Sequence, residues 1–131
     1  MTAQVALQYP TGNGDETATE VAIDPAKFHD ALAADLPREQ TAVMAATQRP
    51  VAEPAFSEPS GPPAWKSLPT WAVVATGDKA AGADVIRSMA ERAGATITEA
   101  EGSHVIMVSQ PQAVTDVILE AVATVGSVSK H

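Results

Sequence analysis

The chain contains no cysteine. That excludes disulfides, thiolate metal sites and a cysteine nucleophile, and it is compatible with a reducing compartment. Aromatic residues are scarce, 4% of 131 residues, although 45% are hydrophobic. Alanine and valine supply much of the hydrophobic fraction, so each core position buries little area and the core is thin for the chain's length. Positive charge is also short, with 8 Lys and Arg against 16 Asp and Glu for a net charge of −8. A negative surface repels phosphate backbones and no basic stripe offsets it, so a nucleic-acid partner is not expected. No segment approaches the roughly 20 apolar residues needed to span a bilayer. The amino end lacks the basic-then-apolar pattern of a secretory signal. These absences predict a soluble, cytoplasmic protein without a membrane partner. No His or acidic residues stand at ligand spacing, so neither a metal nor another cofactor is expected.

What the chain does contain changes character along its length. Residues 1–49 carry short helical patches. Thr11-Gly-Asn-Gly-Asp15 reads as a turn. Asp24-Pro25 offers a helix start, with Phe28, Ala31 and Leu32 on one face. A second short helix from Asp35-Leu-Pro37 to Gln48 places Val43, Met44 and Thr47 on one side. His29 falls on the polar side of its helix, and His131 ends the chain; both read as solvated. In residues 50–69 six of the ten prolines recur too often for regular structure, as in an extended connector.

From residue 70 the pattern is strand, helix, strand, helix. Trp71-Ala-Val-Val-Ala-Thr76 is a continuous apolar run, expected of a strand buried on both faces in a parallel sheet. A helix from Asp84 to Arg92 follows, with Val85, Ile86 and Met89 inward and Gly94 at its carboxyl end. Residues 95–100 form a second short strand. Ser109-x-x-Gln112 has the form of a capping box before a helix whose apolar stripe is Val114, Val117, Ile118, Ala121 and Val125. Met44, Met89 and Met107 are expected in the core, and Trp65 and Trp71 in core or lid packing.

Two residues in this half could carry chemistry. Asp78 ends the first strand, and His104 follows the second in Glu101-Gly-Ser-His104. Histidine titrates near neutrality, as a general base must. An acid at the end of a neighbouring parallel strand can accept its Nδ1–H and orient it. Taken singly, a strand-end aspartate is often a turn former and a Ser-His pair an ordinary polar turn. Order and spacing together favour the acid–base reading.

Pro-Ala-Trp65-Lys, Leu-Pro69-Thr-Trp71-Ala-Val-Val-Ala-Thr-Gly-Asp78-Lys, Met89-Ala-Glu-Arg-Ala-Gly94-Ala and Gly-Ser-His104-Val-Ile-Met-Val-Ser-Gln-Pro111 resemble the carboxy-terminal region of bacterial α/β-hydrolases of the esterase and haloperoxidase-like kind. The resemblance covers about residues 50–121. Residues 1–49 resemble the lid segment that such enzymes insert before the last two strand–helix units.

The resemblance implies a partial α/β-hydrolase fold, in three parts. These are a helical lid at 1–49, a proline-rich connector at 50–69 and a βαβα part of the core at 70–131. It further implies a serine esterase-like function on ester or similar acyl compounds, with Asp78 as triad acid and His104 as triad base. The nucleophile serine of a G-x-S-x-G elbow occurs nowhere in the chain. Ser57, Ser60 and Ser103 are not flanked as such an elbow requires. The chain is therefore expected to be inactive alone and to need a nucleophile-bearing half, a complementing chain or a second copy. The alternative is a non-catalytic interaction module that associates through its open sheet edge. Lys79-Ala-Ala-Gly-Ala after Asp78, where relatives carry bulkier residues, predicts a loosely held acid.

Overall fold

Residues 3–128 are described by a computed structural model, in which the chain divides into two units, 1–61 and 62–131. His131 lies outside the described residues. The division falls at Gly61, inside the proline-rich segment.

The first unit opens with strands, although its sequence pattern suggested helices. Strands β1 (Gln4–Pro10) and β2 (Thr17–Ile23) pair antiparallel from Gln4 opposite Ile23 to Pro10 opposite Thr17. The expected turn is the hairpin loop, closed by Thr11 N–H donating to the Glu16 carbonyl at 3.1 Å. The β-branched residues of Thr17-Ala-Thr-Glu-Val-Ala-Ile23 suit a pleated surface. Their alternation is masked because both sides of β2 are partly covered. A two-residue strand, β3 (Val51–Ala52), adds to the other side of β2. Two short 3₁₀ turns, Glu53–Phe56 and Ala64–Lys66, account for the rest of the ordered backbone in the proline-rich segment.

Helices α1 (Phe28–Leu32) and α2 (Arg38–Thr47) complete this unit. Phe28, Ala33, Leu36, Thr41 and Ala45 are buried. The covered side of α2 is therefore Thr41 and Ala45, and Val43 and Thr47 face solvent instead. Thr41 can be buried because its hydroxyl donates to the Arg38 carbonyl at 3.0 Å, which meets its polar need locally.

The second unit holds the expected βαβα order. Strands β4 (Trp71–Ala75) and β5 (Thr96–Ala100) pair in parallel, Trp71 opposite Thr96 through Ala75 opposite Ala100. Val74 is fully buried, with Ala75, Ala90, Val105, Ile106 and Val117 forming the rest of this core. Helix α3 (Ala83–Arg92) crosses between the strands and packs on both. Its end is a Schellman motif. Ala95 N–H donates to the Ala90 carbonyl at 3.0 Å and Gly94 N–H to that of Glu91 at 2.9 Å, and Gly94 adopts φ +64°.

Helix α4 (Ile106–Ser109) is a single turn, and α5 (Pro111–Val128) runs to the end of the described residues. Three local expectations fail here. The cap of α3 is Gly82, while Asp84 sits inside the first turn and bonds Arg87 at 2.6 Å; an acid there still complements the helix dipole. The Ser109–Gln112 capping box does not form, because Ser109 belongs to α4 and the Gln112 amide donates to Asp116 at 2.7 Å. Val85, Met89 and Met107 are exposed, as are Ile118 and Val125 of the α5 stripe. With only two strands to cover, each helix buries a narrow line of small residues and leaves its flanks open.

Candidate active site

The parallel register brings two loops together. Beyond Ala75 and Ala100 the strands stop pairing, but their backbones remain in contact. Thr76 N–H donates to the Ala100 carbonyl and Gly77 N–H to the Gly102 carbonyl, both at 2.9 Å. Asp78 is the next residue on one side and His104 lies two residues further on the other.

Their side chains meet. His104 Nδ1 lies 2.8 Å from Asp78 Oδ2. The carboxylate is nearly enclosed, its side chain 6% exposed, whereas that of His104 is 42% exposed. Asp78 Oδ1 accepts the backbone N–H groups of Ala80 at 2.9 Å and Ala81 at 3.0 Å. An ionised carboxylate only accepts, so the imidazole must donate through Nδ1, and Nε2 is left as the basic nitrogen of the neutral ring. Among the described residues Nε2 makes no hydrogen bond.

The loop after Asp78 is thus not loose. Small residues at Ala80 and Ala81 let the backbone turn back so that two amides reach one carboxylate oxygen, and the acid is held by geometry instead of bulk. The histidine loop is held as firmly. Ser103 is buried and its Oγ accepts Val105 N–H at 3.3 Å. The Gln110 side-chain amide donates to the Glu101 carbonyl from the junction of α4 and α5.

These contacts also set the acidity of Asp78. Burial is the largest single influence and pushes the carboxyl up. The hydrogen bond from His104, the Ala81 amide, the attraction of the imidazolium and the Ala80 amide together outweigh it, and hold Asp78 below its ordinary value of 3.8. A carboxyl depressed in the folded state contributes stability above the unfolded value, and loses it as pH falls through the folded one. The urea midpoint of the wild-type chain is therefore expected to fall more steeply than that of Asp78→Asn as pH drops from neutrality to below 3.8. Parallel declines would show that these contacts do not stabilise the ionised form.

His29 is not solvated. Its side chain is 17% exposed, and Nδ1 lies 3.1 Å from Thr41 Oγ1. Since the Thr41 hydroxyl donates to the Arg38 carbonyl, the imidazole is the donor in this pair. A shallow depression of about 150 Å³ lies beside them, lined by Pro25, Ala26, His29, Arg38, Thr41 and Ala42. The His29–Thr41 contact bridges 12 residues and joins two short helices, so no local periodicity could reveal it. Among the described residues no group of three His, Cys, Asp or Glu side chains could hold a metal ion. No helix among them is long and apolar enough to cross a membrane.

Fold and site together define an α/β protein with an acid–histidine pair at its strand ends. The alpha/beta hydrolase family model matches residues 3–117, and the chain belongs to that family. Among solved structures it is similar to polyneuridine aldehyde esterase, with a TM-score of 0.73 and 17% identity over 89% of this chain. A histidine-to-alanine variant of that esterase gives 0.71 and 16% over the same share. At this identity the likeness concerns the fold. The chain spans 48% of the length of each of these structures. No curated protein sequence matches it.

Proposed function

We propose that this chain carries the acid and base of a serine-dependent hydrolase that cleaves esters or similar acyl compounds. The observation that carries the reading is the Asp78–His104 contact at 2.8 Å, with the acid enclosed and the imidazole open to solvent. His104 Nε2 takes the proton of an attacking serine and later delivers it to the leaving alcohol. Asp78 keeps the ring in the Nδ1–H tautomer and stabilises the imidazolium. The nucleophile and the oxyanion-hole donors come from outside residues 1–131, and by itself the chain forms no acyl-enzyme.

The expected result is ester hydrolysis, seen as release of a chromogenic alcohol, when the chain is combined with a hydrolase part that bears the nucleophile elbow. Neither part alone should give more than the background rate. Turnover by this chain alone would overturn the division of labour. An inert mixture in which the two parts demonstrably bind would overturn the hydrolase reading.

A second reading is favoured by one feature of the same unit. Strand β4 has a single pairing neighbour among the described residues, and α5 exposes Ile118, Leu119, Val122 and Val125. An open edge beside apolar side chains suits association with a complementing chain or a second copy. In a non-catalytic module this association would be the whole function, unaffected by loss of His104.

A further inference from the structure

We propose that Gly77 is a positioning residue for the Asp78–His104 pair, because the absence of its side chain lets the two strand-end loops close to backbone contact. Gly77 is not there for its backbone freedom: the glycines with positive φ are 12, 14, 82 and 94. It is there for space. A Cβ at Gly77 would stand 2.7 Å from the Gly102 carbonyl oxygen and 3.4 Å from its carbon. Ordinary van der Waals contact begins at 3.4 Å, so the loops would have to part by several tenths of an ångström. The obstacle is a backbone carbonyl, which has no rotamer into which to retreat.

The consequence falls on the site. Gly77 is covalently next to Asp78, and Gly102 is two residues from His104. The Gly77 N–H to Gly102 carbonyl bond at 2.9 Å and the His104–Asp78 bond at 2.8 Å are successive rungs between the same two loops. Parting the first by that much carries the second toward the outer edge of hydrogen-bonding distance. The Gln110 amide on the Glu101 carbonyl holds the histidine loop from its other side, so the loop cannot simply slide to compensate. Gly77 therefore acts through its neighbours and touches no reacting atom. Its importance to catalysis rests on the hydrolase reading; its control of the geometry does not.

The test uses the full chain labelled with ¹⁵N-histidine. The wild type should show a downfield, slowly exchanging His104 Nδ1–H resonance, identified by its disappearance in Asp78→Asn. In Gly77→Ala this resonance should move upfield or vanish, and the Asp78 carboxyl should titrate higher than in the wild type. Far-UV circular dichroism should be retained. Gly61→Ala, where an added Cβ meets nothing within 4 Å, should change neither signal. Gln110→Ala removes the opposite clamp without crowding and should shift the resonance less than Gly77→Ala. A folded Gly77→Ala chain with the wild-type resonance and Asp78 titration overturns the proposal. If that variant does not fold, hydrogen exchange of the wild-type Gly77 amide decides: protection supports the contact, and exchange at the rate of a free loop amide overturns the proposal. None of these readings uses ester turnover. An intact resonance in an inert assembled enzyme would sink the hydrolase reading alone, and an active enzyme insensitive at Gly77 would sink this one.

Discussion

On the proposed hydrolase reading, His104→Ala is expected to lower kcat for ester hydrolysis by the assembled enzyme on the order of 10⁶-fold, with little change in KM. His104 Nε2 is a basic nitrogen at the strand ends that makes no hydrogen bond among the described residues. The ring Nδ1 is occupied by Asp78, which leaves Nε2 as the atom that can relieve an attacking serine of its proton. Serine at neutral pH is a poor nucleophile without such a base. Loss of one member of a cooperating nucleophile–base unit costs nearly as much as loss of the whole, because neither acts alone. On the proposed reading His104 acts in the proton transfer of the chemical step and not in holding the substrate, so the effect should appear in kcat. The measurement is steady-state hydrolysis of a chromogenic ester by wild-type and variant assemblies at matched occupancy. Activity within a few fold of wild type would mean that another base is in use, and the non-catalytic reading would take precedence.

Asp78→Asn should cost about 10⁴-fold in kcat, and the reason is legible in the hydrogen bonds. Oδ1 of Asp78 faces two backbone donors, Ala80 N–H and Ala81 N–H. An asparagine in the same rotamer must keep its carbonyl oxygen there, since an NH₂ group would oppose two N–H groups. Its NH₂ is then directed at His104 Nδ1, where a donor meets a donor. The ring relieves this by adopting the other tautomer, with Nδ1 accepting and Nε2 carrying the proton. The nitrogen that should act as base is thereby blocked. Asp78→Ala frees the ring from that constraint and should be less damaging at high pH than Asp78→Asn. The check is the pH profile of kcat for both variants, with ¹⁵N-histidine spectra reporting the tautomer. If the two variants show equal losses at every pH, the aspartate acts only through its charge and not by fixing the tautomer.

Two local patterns in the sequence carried most of what could be read of the site. An apolar run ending in an acid, and a polar turn holding a histidine ahead of a helix, are each short enough for their periodicity to be intact. The parallel pairing of β4 with β5 was also legible, because a strand without polar alternation must be covered on both faces. The hairpin of β1 and β2 was not, since its strands alternate weakly and their exposed residues resemble those of a loop. The inward faces of α2 and α3 were misread for a related cause. Which residue of an amphipathic turn is buried depends on what lies opposite, and here that is a narrow two-stranded sheet or a single short helix.

By itself the sequence determined the residue types of the candidate acid and base and their order along the chain, since strand, turn and helix signals are local. Only the tertiary structure decided that they meet. Asp78 and His104 are 26 residues apart, and what joins them is the register that sets Ala75 opposite Ala100. The close passage of Gly77 past Gly102 and the two amides turned onto Asp78 are likewise settled in space. A register and a van der Waals gap belong to two segments at once, and neither segment alone encodes the distance between them.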